Sequence, residues 1–400
     1  MASMSSVPFF RPSLSLFFTL ALAACGNNSA MMGTPDLAMP DLASGGFQTA
    51  SHTAFPQLTL HTTKVFPAPQ LVSISYSDFP FADKMEAFGD FMVGSQWLIT
   101  TGAEYGVGHG THLQKVRLTE KAPAAATDSD TVSYLKKLAA AGTIPAPSAT
   151  NNQLIYMVYF PMTSKVDDGS GGILCQDGYL GYHASDNING IPFEYAIIPD
   201  CDGPTNASAL DDLTSTVSHE FIESATDPDD AWYLDVADAD PWVSEDYEET
   251  ADLCQDDDNV MEGPWAFQRS WSNAAAKAGT TSPCVPIPAG EIYMNVTVDP
   301  PMVITLAQGK STTFTLTGWS TAPLSEWALT TTVADGADFD PAAKLEPATP
   351  SVANGTSVKI TLTVPALDLM GQPVSSGELG AVQVYNGTGG NYWPVAIALP

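Results

Sequence analysis

A histidine and two glutamates lie together in one short segment of the sequence. The segment His219-Glu220-Phe221-Ile222-Glu223 places an imidazole and a carboxylate four residues apart, with another glutamate directly after the histidine. In zinc hydrolases with the motif H-E-x-x-H, two histidines at this spacing bind the metal, and the intervening glutamate takes a proton from the attacking water. Carboxylate oxygens also bind zinc. The segment therefore predicts His219 and Glu223 as metal ligands and Glu220 as the general base.

The same spacing has a second interpretation. On a solvated helix face, a histidine and a glutamate four residues apart form a surface pair worth only a few tenths of a kcal/mol. A metal site needs at least one more donor, and a carboxylate a few tens of residues further along the chain suits this role. Glu249 and Asp252 are both candidates for the third ligand, and Asp252 is also a candidate for a supporting carboxylate.

A strongly acidic segment follows the motif. From Asp227 to Glu262 there are 15 acidic residues and no lysine or arginine. Repulsion on this scale favours either broad solvation or neutralisation by cations. The oxygen-rich loops at 235–240 and 256–259 suit calcium, although neither has the glycine and the distal glutamate of an EF-hand. Calcium is therefore a second candidate metal beside zinc.

The motif must be positioned by a helix. The helix is predicted to begin after Ser208, whose Ser-x-x-Asp spacing to Asp211 is that of a capping box, and to end at Asp227-Pro228. At 100° per residue, His219 and Glu223 lie on a polar side. The opposite, apolar side consists of Leu210, Leu213, Val217 and Phe221. We therefore expect one side of the helix to pack and the polar side to remain open.

Two folded domains are predicted, because the pattern of apolar and polar residues changes near residue 288. In residues 51–288 the pattern alternates between strands and helices. Strands are predicted near 71–76, 153–160, 179–183 and 194–198. Helices are predicted near 82–97 and 131–141, and the second of these follows a cap at Asp128 or Asp130. This pattern predicts an α+β domain, a mixed sheet with a metallopeptidase-like active-site helix. Residues 289–400 show seven short alternating strands without helical periodicity, which predicts an all-β, immunoglobulin-like sandwich. The sandwich is expected to act as a spacer or adhesion module.

The N-terminus has the features of an export signal. Residues 1–25 contain one basic residue, Arg11, and the apolar stretch 14–24. This stretch is far shorter than the roughly 20 residues of a spanning helix and ends in small residues, as a cleavable signal does. Leu22-Ala-Ala-Cys25 resembles a bacterial lipobox, which predicts lipidation at Cys25, and Gly26 fits outer-membrane sorting. Residues 26–50, small and polar, predict a flexible tether.

Four further cysteines are predicted to form two disulfides. Cys175, Cys201, Cys254 and Cys284 are an even number in an oxidising compartment. Three pairings exist, and we prefer 175 with 201 and 254 with 284 because they close the shortest loops. No C-x-x-C pair is present, which argues against thioredoxin-type chemistry.

The composition excludes several function classes. Lys+Arg 14 against Asp+Glu 45 give a net charge of −31, which repels phosphate backbones, so nucleic acid is excluded as a partner. A hydrophobic content of 44% and eight tryptophans indicate a folded chain. The sequence has no G-x-S-x-G elbow and no glycine-rich phosphate loop, so serine-hydrolase and nucleotide chemistry have no support.

The segments around the motif resemble a known family. Residues 216–228, Ala231-Trp-Tyr233 and Glu249-Thr-Ala-Asp-Leu-Cys254 resemble the core of secreted bacterial relatives of the plant phosphate-induced (exordium-like) proteins, whose pattern runs H-E-x-x-E-x-x-T-D-P, a tryptophan, then E-x-x-D-x-C. The resemblance covers about residues 65 to 285. It implies a polar core, with His183 as a neighbour, that consists of His219, Glu220, Glu223, Asp227, Glu249 and Asp252.

Two functional hypotheses follow from these features. The first is a surface-anchored lipoprotein of the bacterial outer membrane with a zinc-dependent, peptidase-like hydrolase domain acting on peptide. The second is a non-enzymatic, calcium-stabilised binding or adhesion protein that holds cell-wall polymer or another surface through the sandwich. In both, the membrane is reached through the N-terminal lipid anchor, and the metal content of the purified protein separates them.

Overall fold

The computed structural model describes residues 47–167, 172–228, 231–234, 249–255, 257–299, 304–306, 309–334, 344–364, 366, 379–385 and 395–398. The predicted signal peptide, the predicted lipidation site Cys25, most of the predicted tether and the predicted calcium loop at 235–240 lie outside these residues. Within the described part of the chain, no helix is long and apolar enough to cross a membrane.

A mixed five-stranded sheet is the scaffold of the first part of the chain. Its strands are β1 (Gln70–Ser75), β2 (Thr111–Arg117), β3 (Leu154–Phe160), β4 (Tyr182–Ile188) and β5 (Ile191–Pro199). The order is β2-β1-β3-β5-β4, with four parallel strands and β4 as an antiparallel edge. All seven residues of β3 are buried, as expected for a central strand covered on both faces.

Helices cover both faces of this sheet. They are α1 (Ala82–Met92), α2 (Gln96–Gly102), α3 (Asp128–Ala140) and α4 (Ala209–Thr226). The short helix α5 (Asn273–Ala278) lies elsewhere and places Ala276 in a core with Phe55 and Trp271. On one face, Phe88 of α1, Trp97 of α2 and Phe221 of α4 share a core with the sheet. On the other face, Leu135 of α3 packs into a second core. The protein is therefore mixed α/β, as the alternation of elements predicts.

Three details of the helices differ from the prediction. The helix predicted at 82–97 is interrupted, because the side chain of Ser95 accepts a hydrogen bond from the backbone N–H of Leu98 and starts α2. The cap of α3 is Thr127, which forms a capping box with Asp130. The capping box predicted at the start of α4 is wrong, because the hydroxyl of Ser208 donates to Asn206 Oδ1 and makes no capping hydrogen bond.

The C-terminal part is built from strands. They are β6 (Met294–Asp299), β7 (Ile304–Thr305), β8 (Ser311–Ser320), β9 (Thr330–Ala334), β10 (Lys344–Glu346), β11 (Ser357–Thr363), β12 (Leu379–Tyr385) and β13 (Val395–Ala398). Two four-stranded sheets result, in the orders β6-β8-β11-β10 and β7-β13-β12-β9. Each of the seven strands predicted from the sequence overlaps an observed one, and β10 was not predicted; the predicted ranges are 291–298, 302–307, 311–317, 326–333, 356–364, 380–386 and 392–398.

Short two-stranded ladders and turns complete the described structure. The ladders pair Thr59–Leu60 with Trp232–Tyr233, Ala125–Ala126 with Lys165–Val166, Val260–Glu262 with Trp265–Phe267, Ser270–Trp271 with Cys284–Val285, and Trp327–Ala328 with Ser351–Val352. Single 3-10 turns lie at Ala103–Tyr105 and Asp252–Cys254.

One hydrophobic core runs across the predicted boundary at residue 288. It contains Phe55 and Trp271 together with Trp319 of β8. The ring of His52 stacks on Trp319 at 3.8 Å between ring centroids. The backbone N–H of Ala50 donates to Asn354 Oδ1 at 2.9 Å. The chain is therefore packed against the C-terminal strands from the last residues of the predicted tether onward.

The preferred disulfide pairing is confirmed. Cys175 is bonded to Cys201, and Cys254 is bonded to Cys284. The second bond lies two residues after Asp252. It therefore ties the segment that carries Glu249 and Asp252 to the ladder formed by Ser270–Trp271 and Cys284–Val285.

Candidate metal centre

The helix that carries the motif is buried on its apolar side and largely buried at the C-terminal end of its polar side. Glu220 and Glu223 are 5% and 1% exposed, and Thr226 is fully buried. Strand β4 and the strand Trp265–Phe267 pack against α4. The expected open polar side is therefore found only in part, because Glu223 and Thr226 are buried whereas Asp212, Ser215 and His219 are partly exposed. The interpretation of His219 and Glu223 as a pair on a solvated surface fails because Glu223 is buried.

A first group of metal donors forms around His219. Its Nε2 atom lies 2.9 Å from Glu223 Oε2 and 3.3 Å from Asp252 Oδ1. The donor atoms of these three residues all lie within 4.8 Å of one another, so the group could hold a metal ion. The i, i+4 spacing on the helix brings the first two together, and the 3-10 turn Asp252–Cys254 supplies the third.

The backbone of the following segment fixes the orientation of Glu223. Its Oε1 atom accepts hydrogen bonds from the N–H groups of Ala251, at 2.9 Å, and Asp252, at 3.0 Å. Its Oε2 atom is thereby turned towards the histidines. The Oε1 atom of Glu223 is thus used in hydrogen bonds to the backbone, and its Oε2 atom remains available to an ion.

A second group forms around His183, which β4 contributes. His183 Nδ1 lies 3.3 Å from Glu220 Oε2 and 3.7 Å from Glu223 Oε2. These three residues could also hold a metal ion, and Glu223 belongs to both groups. The glycine before the strand makes room for this arrangement, because a Cβ atom at Gly181 would lie 2.9 Å from Glu220 Oε1. The sequence indicated His183 only as a neighbour of the polar core.

The structure separates the two carboxylates between which the sequence did not choose. Asp252 contacts His219, whereas Glu249 Oε2 lies 3.3 Å from His183 Nε2. Glu249 Oε2 is buried and has no hydrogen-bond partner among the described residues.

Asp227, the remaining residue implied by the family resemblance, lies directly after α4 and accepts a hydrogen bond from the N–H of Trp232 at 2.7 Å. Asp227 therefore shapes the turn after the helix.

Gln268 is a site residue that the sequence did not reveal. Its Oε1 atom lies 3.0 Å from His219 Nδ1, and its Nε2 atom donates to the carbonyl of Ala251 at 2.8 Å. Because the amide nitrogen is already a donor to Ala251, the amide oxygen accepts from Nδ1–H of His219. The lone pair of His219 Nε2 is then directed at Glu223 and Asp252. No local motif marks Gln268, which follows His219 by 49 residues.

The cluster concentrates negative charge inside the protein. If Glu220, Glu223, Glu249 and Asp252 were all ionised, the cluster would have a net charge of −4 with two neutral histidines and −2 with two protonated ones. Glu220, Glu223, Glu249 and Asp252 each form an ion pair with a histidine of the cluster. Buried charge of one sign is unfavourable unless a cation compensates it.

The pKa values of the cluster record this crowding. Burial lowers the pKa of His183, but the charge of Glu249 and the hydrogen bond with Glu220 outweigh it and raise the pKa well above its ordinary value. Burial also lowers the pKa of His219, but the charge of Glu223 and the hydrogen bond with Asp252 outweigh it and raise this pKa well above its ordinary value. Burial raises the pKa of Glu223, assisted by the charge of Asp252. Burial likewise raises the pKa of Glu249, assisted by the charge of Glu223.

The loop at 256–259, predicted as a calcium site, uses two of its side chains elsewhere. Asp257 Oδ2 lies 3.3 Å from Arg269 Nη1, and Asn259 Oδ1 accepts a hydrogen bond from Ser215 at 2.8 Å. Burial raises the pKa of Asp257 to about 6, against the charge of Arg269. Asp257 and Asn259 therefore contact Arg269 and Ser215, and Asp256 of the same loop lies outside the described residues. The other predicted calcium loop, 235–240, lies outside the described residues.

Comparisons with known proteins do not name a family. No family model matches the chain, and no curated protein does. One similar solved structure is the Pseudomonas aeruginosa CupB2 chaperone, with 10% identity over 24% of this chain and 53% of that chain. A second comprises domains 4 and 5 of the S-layer protein SbsC, with 13% identity over 29% of this chain and 50% of that chain. A third is the CsuC-CsuE chaperone-tip adhesion subunit pre-assembly complex of Acinetobacter baumannii, with 8% identity over 26% of this chain and 51% of that chain. Each has a TM-score of 0.19. The chain spans about half the length of these chains, and the similarity carries no argument about function.

The substitution Gln268→Ala is expected to weaken metal binding. Loss of the amide oxygen frees the ring of His219 to rotate and removes the preference for the tautomer with a bare Nε2. Partners of this kind typically contribute about 10- to 100-fold to metal affinity, and we expect a loss in that range by competitive zinc titration. The exposed Gln114→Ala provides the matched control and should bind zinc as the wild type does. Equal affinities in the two variants would contradict this role of Gln268.

The metal-free protein is expected to lose stability as the pH rises. His183, His219, Glu223 and Glu249 all have folded-state pKa values above their ordinary ones, so each stabilises the fold below its ordinary pKa and stops doing so as the pH rises through the raised value. For the histidines this loss begins above the ordinary value of 6.5.

Thermal unfolding in EDTA at pH 6, 7.5 and 9 measures this effect. The melting temperature should fall across the series, and added zinc should restore it most strongly at pH 9, because metal replaces protons at the ligands. A melting temperature that stays constant from pH 6 to pH 9 in EDTA would contradict the proton linkage of the cluster.

Proposed function

We propose that the protein is a zinc-dependent hydrolase of the peptidase type, exported and attached to the bacterial surface by a lipid. The observation that carries this proposal is the buried cluster of two histidines and four carboxylates around α4. Its excess negative charge calls for a cation, and the imidazole donors favour a transition metal over calcium or magnesium, which prefer oxygen ligands alone. In this proposal, α4 is the active-site helix.

The two distances from His219 in the first group support zinc as the ion. Donor atoms at about 2.0–2.1 Å from a tetrahedral zinc ion lie about 3.3–3.4 Å from one another. The distances from His219 Nε2, 2.9 Å to Glu223 and 3.3 Å to Asp252, are close to this spacing. Three protein donors leave one position open, as in catalytic zinc sites. We therefore assign His219, Glu223 and Asp252 as ligands and Glu249 as a partner of His183.

The proposed reaction divides the chemistry between the ion and this chain. Zinc would supply a Lewis acid that polarises the scissile carbonyl. Glu220 is the proposed general base, which takes the proton of the attacking water. His183 contacts Glu220 through Nδ1, and Glu249 contacts it through Nε2. The ring is thereby held in place beside the base, where it can hold or pass on the proton.

Several features support export and surface attachment. The Leu22-Ala-Ala-Cys25 sequence resembles a lipobox, and two disulfides are typical of an oxidising compartment. We propose that Cys25 is lipidated and held at the outer membrane. We further propose that residues 289–400 are an immunoglobulin-like spacer or adhesion module, in line with their seven predicted strands and the two observed four-stranded sheets. The family resemblance supports a secreted bacterial protein.

The substitution Glu220→Gln is expected to abolish hydrolysis without unfolding the protein. Loss of a general base typically costs about 10²- to 10⁴-fold in rate, while the zinc on His219, Glu223 and Asp252 remains. Hydrolysis of a quenched-fluorescent peptide library by the zinc-loaded full chain, together with elemental analysis, measures both effects. The control Asp211→Asn removes an exposed carboxylate from the same helix and should leave both unchanged.

A wild-type protein that is free of zinc at full stability would contradict the proposed function. If calcium then raised its melting temperature, the non-enzymatic binding protein would be the better description.

The substitution Cys25→Ser is expected to remove the lipid anchor. Without the thiol, no thioether to the lipid can form, and the chain should move from the membrane fraction to the soluble exported fraction of a Gram-negative host. Incorporation of radiolabelled palmitate measures the modification directly. Ser29→Ala, a neighbouring change in the predicted tether, should keep both the label and the membrane association. Equal labelling of wild type and Cys25→Ser would rule out this attachment point.

A further inference from the structure

We propose that the cluster holds two divalent metal ions bridged by Glu223. The first would lie in the group of His219, Glu223 and Asp252, and the second in the group of His183, Glu220 and Glu223. This inference rests on the proposed metal centre and extends it, because the second ion would bind residues that the proposed hydrolase otherwise uses only for proton transfer.

The geometry of the second group parallels that of the first. In each group, one imidazole nitrogen faces two carboxylate oxygens, at 2.9 and 3.3 Å around His219 and at 3.3 and 3.7 Å around His183. In each, the three donor atoms lie within 4.8 Å of one another. Each group has its own histidine and its own second carboxylate, so one ion in the first group does not use the donors of the second.

Glu223 is placed to bridge the two ions. Its Oε1 atom is held by the N–H groups of Ala251 and Asp252, so the carboxylate cannot turn to offer each group a separate oxygen. Its Oε2 atom lies 2.9 Å from His219 Nε2 and 3.7 Å from His183 Nδ1. A single oxygen therefore faces both histidines, and that oxygen would be the bridging atom.

The charge of the cluster also favours two ions. Metal binding requires neutral histidines and deprotonated carboxylates, and with Glu220, Glu223, Glu249 and Asp252 all deprotonated the net charge of the cluster is −4. One divalent ion reduces it to −2, and two reduce it to zero. In a buried site, the neutral combination is the more favourable one.

Glu249 provides an independent indication of a metal on His183. Its Oε2 atom is buried without a hydrogen-bond partner among the described residues and lies 3.3 Å from His183 Nε2. If Nδ1 of His183 binds an ion, the proton of the ring must be on Nε2, and the Oε2 atom of Glu249 is the carboxylate oxygen 3.3 Å from that nitrogen. Metal-binding histidines almost always have such a partner on their other nitrogen. Glu249 therefore completes the surroundings expected of a histidine ligand.

Glu220 can bind the second ion and still act as a base. Its Oε2 atom faces His183, whereas Oε1 is on the side of Gly181, where a Cβ atom would come within 2.9 Å. Coordination through Oε2 would leave Oε1 for the proton of the attacking water. Centres with two bridged ions can stabilise both the attacking and the leaving atoms of a displacement, which suits a hydrolase.

The test is the metal content of the full chain after reconstitution with zinc and removal of unbound metal by gel filtration. We expect two zinc ions per chain in the wild type and in the control Asp211→Asn. We expect one in His183→Ala and in Glu220→Gln, which lose only the second group. Asp252→Asn should also retain one, in the second group. Glu223→Gln, which removes the bridge, should retain none.

The outcomes distinguish this inference from the proposed function. One zinc ion in the wild type, unchanged in His183→Ala and Glu220→Gln, would overturn the second ion and leave the proposed hydrolase intact. No zinc in any protein would overturn both. Cobalt substitution of the wild type gives a readout that does not depend on the variants folding. Two equivalents bridged by one carboxylate should give a magnetically coupled EPR spectrum, and the sum of two isolated signals would overturn the bridge.

Discussion

The fixed orientation of Glu223 is the interaction on which the site depends. Two backbone N–H groups of the segment 251–252 hold one oxygen of this carboxylate and leave the other facing His219 and His183. A buried carboxylate is expensive unless such donors solvate it. The same two hydrogen bonds bring Asp252 beside His219, so the bonds that stabilise the buried charge also assemble the metal donors.

The scaffold holds these groups from three directions. Helix α4 supplies His219, Glu220 and Glu223, the edge strand β4 supplies His183, and the segment 249–252 supplies the remaining carboxylates. Each of these elements is stabilised by its own contacts. The helix packs into the apolar core around Phe221, β4 is paired with β5, and the segment is held by the disulfide of Cys254. Such support from several elements keeps donor atoms of like charge close together.

Particular elements show where reasoning from sequence succeeds. Strand β3 was foreseen because a run of apolar residues of this length is typical of a buried parallel strand, and α4 ends at the predicted Asp227-Pro228 because proline disfavours helical conformation in the preceding residue. The cap of α4 was not foreseen. The Ser208 hydroxyl donates to Asn206 and makes no capping bond, and this contact depends on the path of the preceding turn.

The sequence alone determined the pairing of His219 with Glu223, because the helical repeat places residues four apart on one side whatever surrounds them. The acidic character of the chain also follows from the sequence, whereas loop length favoured the observed disulfide pairing without excluding the other two. Only the tertiary structure decided that the polar side of α4 is largely buried at its C-terminal end, that His183 and Gln268 belong to the site, and that Asp252 lies with His219 while Glu249 lies with His183. These contacts join residues that are tens of positions apart, and the packing of sheet, helix and turn, not the local spacing, sets their distances.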